Sequence, residues 1–218
     1  MKRGIPAIIF FLLFAIPGVD GQFINSMGLR AGISLAGQTY KFTPIDYTLK
    51  TDPITGPSAG IFLEAFRGKH FSFQSDLTFV TKGSKTTTQS ITVNHLDNDN
   101  IVVNEGDLKV SRFYYLCLSP MARYRIEMGS ITPYAMLGPR VDFLVKYKTD
   151  SDYPLEEQNK VIPGLTGGLG TEFNLNAVVL FIDVQYQSDI MPVTGIDPLL
   201  INNNIFLFSL GIRYLNVK

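Results

Sequence analysis

From Phe71 to Phe79 the chain alternates almost without a break. Phe71, Phe73, Leu77 and Phe79 fall on one side, and Ser72, Gln74, Asp76 and Thr78 on the other. Period-2 alternation marks a strand whose two faces meet different surroundings. Seven further segments repeat the pattern, at about 27–38, 57–67, 113–128, 132–147, 162–174, 177–188 and 203–215. Helical periodicity of useful length is missing, and Gly and Pro recur inside the periodic stretches too often for helices. The pattern predicts an all-β chain.

The connections add topology. Arg67-Gly68-Lys69, Gly129-Ser130 and Asn174-Leu175-Asn176 are hairpin turns of two or three residues. The other connections, at about 39–56, 80–112, 148–161 and 189–202, are long and rich in Asn, Asp, Thr, Ser and Pro. Short and long alternate down the chain, so a meander would gather all tight turns at one end and all long loops at the other. That is the layout of an eight-stranded antiparallel up-and-down transmembrane β-barrel, with short periplasmic turns and long outer loops.

Alternation leaves open which face points outward, and a soluble, secreted lipocalin-like binding barrel would put the apolar face inside. Three features favour apolar-out. Gly28, Gly32, Gly138, Gly168, Gly170 and Gly211 lie on the polar face, where missing side chains make room in a narrow lumen. The apolar face is nearly free of charge, as lipid contact demands. Phe113, Tyr114, Tyr115, Tyr147, Phe173, Tyr186 and Tyr214 lie near segment ends, as in an interfacial girdle.

Met1-Lys2-Arg3, the apolar run from Ile5 to Ile16 and the break at Pro17-Gly18 read as a signal peptide over residues 1–21. The run is too short to span a bilayer, which takes about 20 residues. Residues 22–218 then form the barrel domain, in the outer membrane of a Gram-negative cell. Lys+Arg and Asp+Glu number 19 each, so no net field attracts nucleic acid. The single cysteine, Cys117, excludes an intrachain disulfide framework and thiolate-rich metal sites.

By parity the lumen carries Arg30, Arg123, Arg125, Arg140, Lys146 and Arg213 against Glu64, Asp76, Asp142, Glu172 and Asp183. Charges withdrawn from water must pair or stay solvated, and an eight-stranded barrel is only wide enough for side chains to fill it. A salt-bridged plug is therefore expected in preference to an ion path. Val179 and Phe181 interrupt the polar face, and Pro120 the apolar one. Neither His70 nor His95 belongs to a readable Ser–His–acid set, so no catalytic residue is assigned and no enzyme is expected. Asp97 and Asp99 lack the spacing and glycine turn of a calcium loop. The run Gly164–Gly170 has no helix after it and is a glycine-rich strand rather than a dinucleotide loop. No cofactor or metal is expected.

Met27–Ser34, Gly60–Glu64 through Phe71–Asp76, and Lys82-Gly83 resemble the opening hairpins of the PorT family. Tyr115–Tyr124 with Pro133–Pro139 resembles its central hairpin, and Gly167–Phe173 with Phe206–Tyr214 completes the pattern. The chain departs from that pattern at Cys117 and Ser119, where an acidic residue and a proline are usual, and in ending at Lys218 rather than on an aromatic. The resemblance implies a small OmpA-like outer-membrane β-barrel of Bacteroidetes-type bacteria. Some members of the family are linked to type IX secretion, and the family brings no catalytic residues.

The longest connection, 80–112, alternates enough to carry two strands beyond the membrane as a hairpin tipped by Asn94–Asn100. Thr86, Thr88, Ile91, Val93, His95, Asp97, Asp99, Ile101 and Val103 are its candidate partner-binding residues. The expected role is structural or interactive: a monomeric barrel surrounded by outer-membrane lipid, docking a surface or secretion-system protein through its long outer loops. The alternative is a barrel that binds a small ligand at its rim.

Overall fold

A computed structural model of the chain describes residues 24–42, 47–93, 101–149, 159–175, 178–196 and 199–215. The leader assigned to residues 1–21 lies outside them, as do His95, Asp97 and Asp99. Ten strands are described: β1 (Ile24–Phe42), β2 (Tyr47–Lys50), β3 (Asp52–Ala65), β4 (Phe71–Val93), β5 (Ile101–Arg125), β6 (Ile131–Thr149), β7 (Val161–Leu175), β8 (Val178–Asp189), β9 (Thr194–Ile196) and β10 (Leu199–Leu215). Eight of them form an all-antiparallel wall in the order β1-β3-β4-β5-β6-β7-β8-β10, and β10 returns to β1 to close it. This seam runs without a shift from Ser26↔Leu215 to Phe42↔Leu199. Closure removes every edge within the wall, which lipid requires because it offers the backbone no hydrogen-bond partner. The short strands β2 and β9 pair only with the outer ends of β1 and β10.

Burial decides which face is which. On β1, β3, β4, β6 and β7 the even-numbered residues point inward through most of the wall, and on β5, β8 and β10 the odd-numbered ones. Arg30 is 4% exposed, whereas Leu169 is 69% and Leu210 65%. A lipocalin-like barrel would show the reverse. Val179 and Phe181, which interrupt the polar face, sit on the lumen side of β8.

Two glycines on the lumen face are explained by their cross-strand partners. Gly28 stands opposite Phe62 and Gly211 opposite Phe181, and each ring lies where a Cβ on the glycine would be. The two rings meet edge to face, with centroids 5.4 Å apart at 78°, a favoured aromatic arrangement. The space that the glycines leave is thus filled by aromatic carbon from the neighbouring strand.

The β5–β6 ladder carries a bulge. Tyr114 pairs with Lys146 but Tyr115 with Leu144, so Val145 is an extra residue in β6. A bulge re-aims the side chains beyond it. Val145 and Lys146 are both exposed, and Tyr147 turns inward, its ring 4.8 Å from that of Phe113. Lys146 therefore does not join the lumen charges, contrary to the parity expectation. The aromatic girdle also needs correction. Phe113 and Tyr115 are fully buried on the lumen face of β5, and only Tyr114, Phe173, Tyr186 and Tyr214 of the expected set remain outward.

Near the long-loop end the polarity turns over. Ala36, Ile54, Val80, Phe113, Tyr115, Cys117, Ile162, Ile205 and Leu207 form an apolar core inside the wall, closed by Val193 from the segment after β8. Outside, Lys41, Arg112, Lys146 and Lys148 are exposed. A wall that meets water on its outer face keeps its apolar residues inside, so this inversion marks where the strands leave the lipid.

Candidate functional site

Among the described residues twelve charged side chains are buried, and they balance: Arg30, Lys82, Arg123, Arg125, Arg140 and Arg213 against Glu64, Asp76, Asp142, Glu172, Asp183 and Asp189. They form three layers along the barrel axis.

The layer nearest the short turns joins Arg123, Arg125 and Arg213 to Glu64 and Glu172. Arg125 donates to Glu64 and Arg123 to Glu172, while Arg213 pairs with Glu172 and lies 3.1 Å from Glu64 Oε2. Glu64 also accepts from Ser26 Oγ at 2.8 Å, and Arg67 at the rim reaches it at 3.8 Å. In the middle layer Arg30 bridges Asp76 and Asp183. Tyr134 Oη donates to Asp183 at 3.0 Å and Gln74 Nε2 to Asp76 at 2.7 Å. Arg213 donates to Gln74 Oε1 at 3.3 Å, which links the two layers. In the outer layer Lys82 donates to Asp142, Arg140 Nε to Asp142 at 3.0 Å, and Arg140 Nη2 to Asp189 at 2.5 Å. Asp189 further accepts from Asn203 Nδ2 at 2.7 Å, and Asn203 Oδ1 from Gln38 at 3.0 Å.

Aromatic faces brace the cations. The Arg123 guanidinium lies 3.6 Å from the Tyr134 centroid, Arg213 5.3 Å from Phe62, and Lys82 Nζ 4.9 Å from Tyr115. Such contacts strengthen when desolvated. The result is a cross-braced plug in which every carboxylate is held by cations. Among the described residues no group of three or more His, Cys, Asp or Glu could hold a metal ion. Cys117 is a packed member of the apolar core.

Ten of the eleven charges expected in the lumen are there; Lys146 is the exception. Lys82 and Asp189 are there as well, and sequence reasoning missed both. Each continues the inward parity of its strand, Lys82 after Asp76 and Asp189 after Asp183, but each lies past the point where the amphipathic segment was ended. The signal was in the alternation, obscured because the outward face stops being apolar there.

The second feature is the hairpin formed by the outer ends of β4 and β5. They pair from Thr86↔Lys109 to Val93↔Ile101, with a shift between Thr87 and Gln89. In that register Ile91 stands opposite Val103, and Val93 opposite Ile101. Pairing with β3 ends at Asp52↔Lys85 and pairing with β6 at Ser111↔Thr149. Beyond those pairs the described residues supply no third strand to the hairpin. Eight residues at about 3.4 Å each carry it roughly 27 Å past its neighbours. Thr86 and Thr88 lie on this hairpin too.

A closed eight-stranded barrel with an apolar outer band and a charge-filled interior is a transmembrane barrel of the outer-membrane type. The chain belongs to the outer membrane protein beta-barrel domain family, whose model matches residues 25–193. Among solved structures it is similar to Ail, the attachment invasion locus protein of Yersinia pestis, at 16% identity, over 87% of this chain and 99% of that one, with a TM-score of 0.45. It is also similar to the N-terminal β-barrel domain of Pseudomonas aeruginosa OprF, at 11% identity, over 88% and 98%, with a TM-score of 0.44. The outer membrane protease OmpT of Escherichia coli matches at 7% identity, over 92% and 99%, with a TM-score of 0.47. No curated protein sequence matches the chain.

Proposed function

We propose that this outer-membrane barrel is a non-enzymatic interaction protein of the PorT-like kind, which docks a surface or secretion-system partner through the β4–β5 hairpin. The observation that carries the reading is the hairpin of residues 86–93 of β4 and 101–108 of β5, raised beyond the wall with no third strand against it among the described residues. An unpaired edge offers a row of backbone donors and acceptors to an incoming strand. The lumen supports the same division of labour. Its layers brace the wall and leave recognition to the outer end.

Removal of residues 88–107, with Thr87 joined to Leu108 by an Asn-Gly turn, keeps the last β4–β5 pair before the register shift and leaves the lumen layers intact. The truncated barrel is expected to fold, migrating faster unheated than boiled on a gel, and to lose the partner. A photo-cross-linking residue at Gln89 or Asn104 of the full-length protein should give a discrete adduct in native outer membranes. Adducts that form equally at Lys50, or a truncated barrel that keeps every partner, would refute the reading.

A further inference from the structure

The outward face of β7, β8, β10 and β1 changes character in steps along the strands. Leu169, Val184, Phe208 and Ile33 stand side by side in register across the four. With Ile182 and Leu210 from the adjacent row they line a groove of about 660 Å³ on the wall, within the range of about 300–1,000 Å³ usual for small-molecule sites. One row nearer the loop end, Gly167, Tyr186, Phe206 and Leu35 are aligned in the same way. The Tyr186 and Phe206 rings lie 5.1 Å apart, and both side chains are exposed. Gly167, directly opposite Tyr186, has no side chain to cover that flank of the ring. A Cβ there would meet Leu137 Cδ1 at 3.4 Å and Met136 O at 3.8 Å, both ordinary contacts. The next row is polar. Asn204 Oδ1 accepts from Tyr186 Oη at 3.1 Å and from Ser188 Oγ at 3.4 Å, and Asn204 Nδ2 donates to Thr39 Oγ1 at 3.3 Å. Amides and hydroxyls both donate and accept, so this ladder can extend to further hydroxyl groups. Lys41 follows Thr39 on the outward face of β1 and is exposed, at the level where the strands leave the lipid.

We propose that this surface binds a glycolipid of the outer leaflet, with an acyl chain in the groove and the headgroup sugar on the ladder of Tyr186, Ser188, Asn204 and Thr39. Two observations point to that occupant, and each accounts for one half of it. The groove is lined by apolar side chains and opens toward the hydrocarbon, so a lipid tail is the group it meets. The ladder lies directly beyond the groove on the same strands, at the edge of the apolar band, where headgroups stand. Its groups are neutral and of mixed donor and acceptor character, which matches sugar hydroxyls better than a phosphate. The flank of Tyr186 beside Gly167 offers a flat aromatic face to the C–H side of a sugar ring. Because short turns mark the periplasmic end, the ladder faces the outer leaflet. The inference does not depend on the hairpin's partner.

The test uses the full barrel in an amine-oxide detergent, which carries no sugar, with native mass spectrometry counting bound lipid. The probes are monoglucosyl diacylglycerol, phosphatidylcholine and phosphatidylglycerol with identical acyl chains. The wild type is expected to retain the glucosyl lipid roughly fivefold better than either phospholipid, since one or two net hydrogen bonds contribute about that factor. Asn204→Leu, which breaks the ladder at its centre, and Gly167→Val, which covers the flank of Tyr186, should each remove most of that preference. Val184→Trp, which fills the groove, should lower retention of all three lipids. The three positions face outward from the wall, so heat-modifiable migration should be unchanged, and Gly167→Val carries the test should another variant fail to fold. Equal retention of the three lipids, a preference for the anionic phosphatidylglycerol, or wild-type selectivity in Asn204→Leu or Gly167→Val would overturn the proposal. Unchanged retention by Val184→Trp would also overturn it, as would a lipid-free dimer in which a second copy covers the groove.

Discussion

Glu64→Ala removes the carboxylate on which the innermost layer converges. In the native barrel Glu64 is fully buried and meets Arg125 and Arg213 directly, with Arg123 at 3.9 Å. Three buried guanidiniums share two carboxylates there, an excess of one positive charge. Without Glu64 the same three share Glu172 alone, and the excess doubles. Breaking one buried pair leaves an uncompensated charge at a cost of about 3–5 kcal/mol. Arg125 loses its one carboxylate and Arg213 one of two, so the upper part of that range is expected, about 4–5 kcal/mol. The assay is equilibrium unfolding in urea, with the folded fraction read as the fast-migrating band on unheated gels. A second variant isolates the electrostatic cause: Glu64→Ala/Arg213→Met restores the excess to one charge. It should recover at least about 1.5 kcal/mol relative to the sum of the single changes, within the usual range for coupled neighbours. A Glu64→Ala barrel within about 1 kcal/mol of wild type would refute the reasoning, as would strict additivity in the double variant.

Arg123→Ala should cost about 3–5 kcal/mol, because it leaves Glu172 short of a donor and uncovers the Tyr134 ring, whereas Lys50→Ala on the exposed β2 should stay within about 0.5 kcal/mol; equal losses in the same urea titration would contradict the layered network. In planar bilayers the monomer should show no large, stable conductance steps, since the lumen is filled by its own side chains, and reproducible open steps would mean that the plug yields. Cys117 is fully buried in the apolar core, so a water-soluble maleimide should modify it only after boiling. Labelling of the fast-migrating form would show that water reaches the outer half of the lumen.

The eight-stranded meander, its apolar-out orientation and ten lumen charges were legible in the sequence for one physical reason. Lipid outside and packed ions inside impose opposite demands on alternate residues, so chemistry and parity coincide within the membrane. Arg30, Asp76 and Asp183 could be placed on one face from parity alone. That the guanidinium of Arg30 bridges both carboxylates depends on a closure that brings residues far apart in the chain to one height. The inward aromatics were hidden because Phe62 and Phe181 look like lipid-facing residues; only the cross-strand register sets them over Gly28 and Gly211.

Beyond the membrane the coincidence ends. Both faces there mix polar and apolar residues, so Lys82, Asp189, Phe113 and Tyr115 could not be placed by composition. A single extra residue, Val145, reverses parity without any mark in the local pattern. A bulge is a relation between two strands, and the sequence of one strand does not contain it. The destination of Lys146 was therefore decided by tertiary structure: the ladder of β6 against β5 turns it from the lumen to the outer face of the wall.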